Sequence, residues 1–524
     1  MVQTLGSVRL GRIVAVAVAA VLGGAVTVPA VTWEPLHLDE AIMLEFSPLS
    51  LPSIVKDVFV DRGGAPAQFF VEHATLAWPG GIVGLRAPSL IFFILALPVA
   101  AAVARRLLGE GPALVLPFML ALAPLAVGLA TFARMYALFL LTVLCATWLG
   151  QRAAERGDPR SWGIAGAAAG LLVYVHPIAP LYAPLALLTG LAARPSWRAS
   201  LRELRPALIA AAVVASPYAY AIAVLRSRYR VGEAPRLRTT AGRPVPLESL
   251  HALAPGGWIG VTLFTALALT GLVWIGRSRL PVAVALAAWV VVPIAFFTVV
   301  PAQTRFFSRY LIPALPAFLL LVVAGCFALA RVARAPVVVA AALALALVAV
   351  EGRDDVSRLR TLHRLDLPAL AAAVQPGDVL FSSTGSPRSD RPPELLDDYV
   401  ALRSSPAIRV EELPAIDPRY ENDLVQKGRA RVDAFLRSDP DPAKGLWIFR
   451  GVPRRVDAAL RRLNTTFETH RISPELLIVR SRAPAPVKEL VREALVVRTA
   501  WGLKTPADRW PRVIASVDRA ALGR

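Results

Sequence analysis

The chain has 524 residues, 56% of them hydrophobic and 18% charged, with a mean hydropathy of +0.55. Such values lie outside the range of ordinary soluble domains, and repeated uncharged stretches of 17 to 22 residues describe a polytopic α-helical membrane protein. The formal net charge of +20 does not indicate nucleic acid, because no groove-reading motif accompanies it; anionic membrane lipid is the better partner.

The charge is unevenly shared. Residues 351–524 hold 30 of the 57 Lys+Arg and 24 of the 37 Asp+Glu, which divides the chain into a transmembrane part (1–350) and a water-soluble part (351–524). The two cysteines, Cys145 and Cys326, fall inside apolar runs and read as small core residues rather than a disulfide or metal pair.

Arg9 and Arg12 precede the first apolar run. The run resembles a signal peptide, but it is long enough to span, and many more follow, so it reads as a retained first helix from about Ile13 to Val31. Residues 32–83 form a long first outer loop in which Ser53 is expected to cap a short surface helix carrying Ile54, Val55, Val58 and Phe59. Further apolar runs near 86–104, 112–130, 132–150, 162–176, 178–193, 206–225, 257–276, 281–300, 310–330 and 335–350 bring the expected number of spans to about 11.

With Arg9 and Arg12 inside, every inner connection carries arginine: 105/106, 152/156/160, 194/198/202/205, 277/279 and 331/334. This places the N-terminus in the cytoplasm, and the first loop, residues 226–256 and the C-terminal part outside the cytoplasmic (inner) membrane. One outer loop departs from the rule, with Arg226, Arg228, Arg230, Arg236, Arg238 and Arg243 against Glu233 and Glu248. It reads either as a site for something anionic or as a solvated loop in an Arg-rich protein.

Beyond Arg353, strand-like runs at Asp378–Phe381, Leu446–Phe449 and Glu475–Val479, with an amphipathic stretch from Arg454 to Leu463, predict a small extracytoplasmic α/β domain. The tail, from Val487 to Val497 and on to Trp501 and Trp510, suits the bilayer surface.

Four groups of residues carry possible chemistry. Asp39-Glu40, eight residues past the first span, is an acidic pair that either helps solubilise the loop or acts on substrate. Arg134 sits at the outer end of the fourth span, where it snorkels or meets a carboxylate or phosphate. Arg305 and Arg309 are four apart and on helical turns would share a face, to clasp a phosphate or to snorkel. His37, His73 and His176, with Asp39, Glu40 and Glu72, offer ligands for a divalent metal, although no compact metal spacing links them. A phosphate-cradling loop, a dinucleotide fingerprint and a nucleophile elbow are all lacking, which disfavours nucleotide-dependent chemistry.

Four motifs together resemble the GT-C membrane glycosyltransferases, a superfamily that includes the family-39-like protein O-mannosyltransferases and aminoarabinose transferases. They are His37-Leu38-Asp39-Glu40-Ala41; the run from Gly64-Ala65-Pro66 through His73 and Trp78 to Arg86-Ala87-Pro88-Ser89; Ala133-Arg134-Met135-Tyr136-Ala137-Leu138; and Ser308-Arg309-Tyr310-Leu311-Ile312-Pro313. The family often carries an acid two positions before the third motif's arginine. Phe132 stands there in this chain, which weighs against a metal-assisted variant.

The resemblance implies an inverting enzyme. It would move a sugar from a polyprenyl-phosphate donor to an envelope glycan, lipid or protein acceptor, without a nucleotide sugar. Asp39 would be the general base, and Glu40 would orient it. Arg134, Arg305 and Arg309 would bind the donor phosphate, with Arg228 and Arg230 gathering the carrier. Tyr136, His73, His176 and Tyr310 would support the site. A transporter or flippase of lipid-linked sugars shares the spans but usually shows paired repeats and broken helices, and a non-catalytic scaffold is the remaining alternative.

Overall fold

A computed structural model describes residues 2–60, 64–75, 78, 81–194, 203–228, 244–299, 306–334, 346–347, 349–350, 352–353, 355–360, 363, 366–383, 394–395, 399–400, 403–405, 408–413, 444–450, 467–474, 476–486 and 515. The chain forms two compact units, Met1–Thr32 with Ile42–Leu359, and Trp33–Ala41 with Arg360–Arg524. The short segment Trp33–Ala41 belongs to the second unit, where strand β1 (Leu36–His37) pairs antiparallel with β3 (Glu394–Leu395) and the Trp33 ring meets the edge of His363 at 5.2 Å.

The first unit is helical: α1 (Val2–Trp33), α2 (Leu38–Phe46), α3 (Leu51–Ile54), α4 (Ala67–Thr75), α5 (Ile82–Leu108), α6 (Glu110–Leu122), α7 (Pro124–Ala130), α8 (Tyr136–Arg156), α9 (Pro159–Leu171), α10 (Ala179–Ala192), α11 (Arg205–Arg228), α12 (Val245–Leu253), α13 (Gly257–Val299) and α14 (Leu315–Val332), with α1 and α2 running into Trp33–Ala41. Among the described residues six helices are long and apolar enough to cross a membrane, or seven if the bent pair α6–α7 is one span. The chain is a multi-pass membrane protein.

Helix α13 has 43 residues, about twice what a ~30 Å hydrocarbon core requires. It breaks at Arg279 (φ −143°, ψ 63°), between the two runs read as separate spans. A Cβ on Gly276 would stand 3.7 Å from Ala283 Cβ, whereas residues seven apart in a straight helix are about 10 Å apart. The α6–α7 bend of 60° falls at extended Ala123, before Pro124, which cannot supply the helical N–H. Helices α9 and α10, 13 and 14 residues long, are short for spans. Most of residues 335–350, read as the last span, lie outside the described residues.

Without a hydrophobic drive inside lipid, helices associate through close backbone contact at small residues. A Cβ on Gly271 of α13 would overlap the Leu321 carbonyl of α14, and one on Gly325 of α14 would overlap the Leu267 carbonyl of α13. Helix α14 is nearly all buried, including Cys326. Both cysteines are free thiols, as the sequence predicts.

Polar contacts gather the helix ends into two groups. At one end Arg12 pairs with Glu110 at 3.0 Å, Arg106 with Glu155 at 2.7 Å, and Arg279 donates to the Leu107 carbonyl at 2.9 Å. The connections expected on the cytoplasmic side therefore lie together. At the other end Arg86, 1% exposed, donates to the last carbonyls of α1 through Val31 O at 2.9 Å. Ser89 Oγ donates to Arg134 O at 3.4 Å and the Tyr182 hydroxyl to Tyr310 O at 2.9 Å. This second group positions the candidate site.

The surface helix of the first loop is capped by Ser50, not Ser53: Ser50 Oγ accepts from Ser53 N, and Pro52 occupies the first turn, where proline lacks only an N–H that would be orphaned anyway. The expected apolar residues Val55–Val60 form a turn of π-helix that continues it.

In the second unit, α15 (Leu367–Ala372) leads into a five-stranded sheet of order β4 (Arg409–Leu413), β2 (Asp378–Ser383), β5 (Lys444–Arg450), β7 (Leu476–Ser481) and β6 (Phe467–Arg471). The first two contacts are parallel and the last two antiparallel, so the expected α/β character holds. The Arg454–Leu463 stretch and the tail from Val487, with Trp501 and Trp510, fall outside the described residues. Arg480 on β7 and Asp378 on β2 form a 3.0 Å ion pair with 5% and 0% side-chain exposure, and Asp378 Oδ2 also accepts from Gln375 N at 2.8 Å. Removing one partner strands the other charge, so Arg480→Ala is expected to destabilise this unit by about 3–5 kcal/mol. Hydrogen exchange of β2 and β7 in the intact protein measures the loss, and the double leucine replacement should recover much of it.

Candidate functional site

The acidic pair opens α2. His37 is its N-cap: the ring Nδ1 accepts from Asp39 N at 3.1 Å, while Glu40 Oε2 reaches back to accept from His37 N at 3.0 Å. This is a reciprocal capping box with histidine in the place usually taken by Ser or Thr. Glu40, 1% exposed, is thus committed to the helix start, whereas Asp39 is half-buried and its carboxylate takes no part in the box. Asp39 Oδ2 stands 3.8 Å from His37 Nδ1, but a nitrogen that accepts from a backbone N–H has no proton for that carboxylate, so we do not count the contact as an ion pair.

The cap makes a prediction. Glu40→Ala is expected to cost about 1 kcal/mol or more of stability, while Glu40→Gln, whose amide oxygen still accepts, keeps most of it. Thermal unfolding of the two variants compares them.

In the helical unit two arginines, 134 and 309, each lie over aromatic rings, and both act on the ring of His176. Arg134 precedes α8, its guanidinium 5.9 Å over Phe69 and its Nη1 3.5 Å from Met43 Sδ. Thioether sulfur is a weak acceptor, and Arg134 Nε is buried with no hydrogen-bond partner among the described residues. Arg309 lies in the 3₁₀ turn Ser308–Ala314, 4.3 Å over Phe307, 5.5 Å over Tyr136 and 5.9 Å over Phe132. Phe132 and Tyr136 stack at 5.9 Å. His176 packs against Tyr136 at 5.5 Å and Tyr310 at 5.4 Å, and both guanidiniums are close enough to act on its ring electrostatically. Positive charge held on aromatic faces keeps its planar donors available for an anion.

Of the residues singled out from sequence, Arg134, Arg309, Tyr136, Tyr310 and His176 come together. His73 instead holds the Ser47 carbonyl at 2.9 Å, and Glu72 accepts from Gln68 at 2.6 Å. Asp39, Glu40 and His37 lie on the segment Trp33–Ala41 of the other unit. Arg305 and Arg230, with Arg236, Arg238 and Arg243, lie outside the described residues, as do the side chains of Arg226 and Arg228 at the end of α11. The shared helical face expected for Arg305 and Arg309 involves Arg305, outside the described residues. Phe307 is extended (φ −127°, ψ 134°) and helical turns begin only at Ser308. Among the described residues no three His, Cys, Asp or Glu side chains gather to hold a metal. Phe69, Phe307 and Met43 were not anticipated; nothing separates them in sequence from other apolar residues.

The sequence profile of the family described as dolichyl-phosphate-mannose-protein mannosyltransferase matches residues 68–220, a stretch that includes Arg134, Tyr136 and His176. Crystal structures of ArnT from Cupriavidus metallidurans superpose over most of both chains. The apo form covers 89% of this chain and 97% of its own at 17% identity and a TM-score of 0.54. The form bound to undecaprenyl phosphate covers 90% and 99% at 17% identity and a TM-score of 0.50. The fold is that of the GT-C membrane glycosyltransferases. No curated protein matches the chain by sequence. Within this GT-C fold, the motifs read from sequence supply both the capped acidic pair and the arginine cluster.

Proposed function

We propose that the chain is an inverting glycosyltransferase that takes a sugar from a polyprenyl-phosphate carrier and passes it to a lipid, glycan or protein acceptor on the outer face of the cytoplasmic membrane. The observation that carries this reading is that Arg309, over the Phe132, Tyr136 and Phe307 rings, and Arg134, from a distant part of the sequence and over Phe69, both act on the ring of His176, which packs against Tyr136. The leaving group in such a reaction is a lipid phosphate, and its developing charge requires preorganised donors. Support comes from the family match and from the GT-C fold, one solved example of which, ArnT, holds undecaprenyl phosphate.

Asp39 is the general base: it takes the proton of the acceptor hydroxyl or amine as that group attacks the anomeric carbon from the face opposite the departing phosphate. Glu40 fixes the helix that carries Asp39. Arg134, Arg305 and Arg309 bind the phosphate and neutralise it as the glycosidic bond breaks, with no step assigned to a metal ion; Arg228 and Arg230 are assigned to gathering the carrier.

The test is purified protein in vesicles with a radiolabelled polyprenyl-phosphate sugar and crude envelope acceptors. Label moving onto the acceptor is the expected result. Labelled carrier crossing the bilayer with no transfer would replace the enzyme by a transporter.

A further inference from the structure

His176 is 2% exposed, in the turn between the 3₁₀ residues Leu172–Tyr174 and α10. Three rings surround it: Phe139 stacked at 4.9 Å, Tyr136 tilted at 5.5 Å and Tyr310 edge-on at 5.4 Å. Ile178 N donates to its Nδ1 at 3.1 Å. A ring nitrogen that accepts carries no proton, so the imidazole is neutral and its hydrogen sits on Nε2.

That Nε2 is buried and has no hydrogen-bond partner among the described residues, and the same holds for Arg134 Nε. Buried donors without acceptors are costly unless something that accepts arrives. With Arg309 over the neighbouring Tyr136 ring and both guanidiniums acting on His176, the local charge favours an anion as that acceptor.

We propose that His176 is a third, uncharged donor for the phosphate of the lipid carrier, its Nε2–H joining the guanidinium groups of Arg134 and Arg309. This rests on the lipid-phosphate reading given above and adds a chemical reason for a histidine at this point. A hydrogen bond to a charged group strengthens binding. A third fixed cation would also hold the released carrier phosphate more tightly and slow its departure, a step that often limits turnover. The Ile178 N–H keeps the ring in the donating tautomer.

The test uses the full chain in detergent with undecaprenyl monophosphate as the probe. His176→Phe keeps a ring in the cage and removes the donor; His176→Gln places an amide N–H close to the position of Nε2 and removes the ring. Donation predicts that affinity falls about tenfold or more in His176→Phe and returns to within a few-fold of wild type in His176→Gln. A packing role predicts the reverse order, and that order overturns the proposal. Should both variants fail to fold, ¹⁵N-histidine NMR of the wild-type protein decides. The Nε2–H signal of His176 is expected to move on addition of the lipid phosphate, and an unmoved signal at saturation overturns the inference. Arg309→Ala, measured alongside, separates the two levels. If it weakens binding while His176→Phe does not, the phosphate site stands and the histidine role falls. If Arg309→Ala binds as wild type, the phosphate reading falls and takes the histidine role with it.

Discussion

Replacing Asp39 with asparagine is expected to slow sugar transfer by a factor of about 10²–10⁴, the usual contribution of a positioned general base. Asparagine has almost the same shape, and its backbone N–H can still donate to His37 Nδ1 as that of Asp39 does, so the helix start survives. The loss of a negative charge in the first turn of α2 costs only about 0.3–1 kcal/mol through the helix dipole, far too little to mimic a catalytic defect of that size. An acceptor hydroxyl gives up its proton only as it attacks, so the loss belongs in the turnover number, with the affinity for the donor little changed. Glu40→Gln is the matched control. It also removes a carboxylate, but the amide oxygen can keep the 3.0 Å bond to His37 N, so most activity should remain. Initial rates with a radiolabelled polyprenyl-phosphate sugar measure both, and transfer by Asp39→Asn at the wild-type rate would remove Asp39 from the chemistry.

The sequence separates these neighbouring acids less well than the structure does. Adjacent Asp and Glu past a span read as one acidic feature, and only the cap geometry assigns one of them to the helix start. The long helices were legible because a run long enough to cross hydrocarbon has few other uses, and Arg277 and Arg279 correctly announced the break in α13. Local rules failed where two readings shared the same residues. Ser50 and Ser53 both precede apolar side chains, and Pro52 in the first turn decides for Ser50. In the C-terminal unit the strands with continuous apolar runs, β2, β5 and β7, were found. The edge strands β4 and β6 were missed because Arg409-Val410-Glu411-Glu412-Leu413 and Phe467-Glu468-Thr469-His470-Arg471 are too charged to stand out, as edge strands commonly are. At the site, charge in an apolar run exposed Arg134 and Arg309, while Phe69 and Phe307 beneath them look like any other core phenylalanine.

Those rings set the second large effect. Arg309→Ala is expected to weaken binding of the lipid-phosphate carrier by about 10–100-fold, in line with the ~1.5–3 kcal/mol of a hydrogen bond to a charged group. Its guanidinium lies 4.3 Å over Phe307, 5.5 Å over Tyr136 and 5.9 Å over Phe132, so the rings fix its plane before any ligand arrives and little entropy is lost on binding. Arg309→Lys restores the charge but neither the planar fork nor the stacking, and should recover only part of the affinity. The variants also test where the arginine acts. If Arg309 met the phosphate equally before and during bond breaking, saturating donor would restore the full rate. If its donors meet the charge that builds on the phosphate as the sugar leaves, the turnover number falls as well. We expect both parameters to change, because a guanidinium held in place by three rings needs no rearrangement to follow that charge. Binding of undecaprenyl phosphate together with the two steady-state parameters makes the measurement. Unchanged affinity and turnover in Arg309→Ala would leave Arg309 as a cation packed on aromatic faces, contributing to the fold alone.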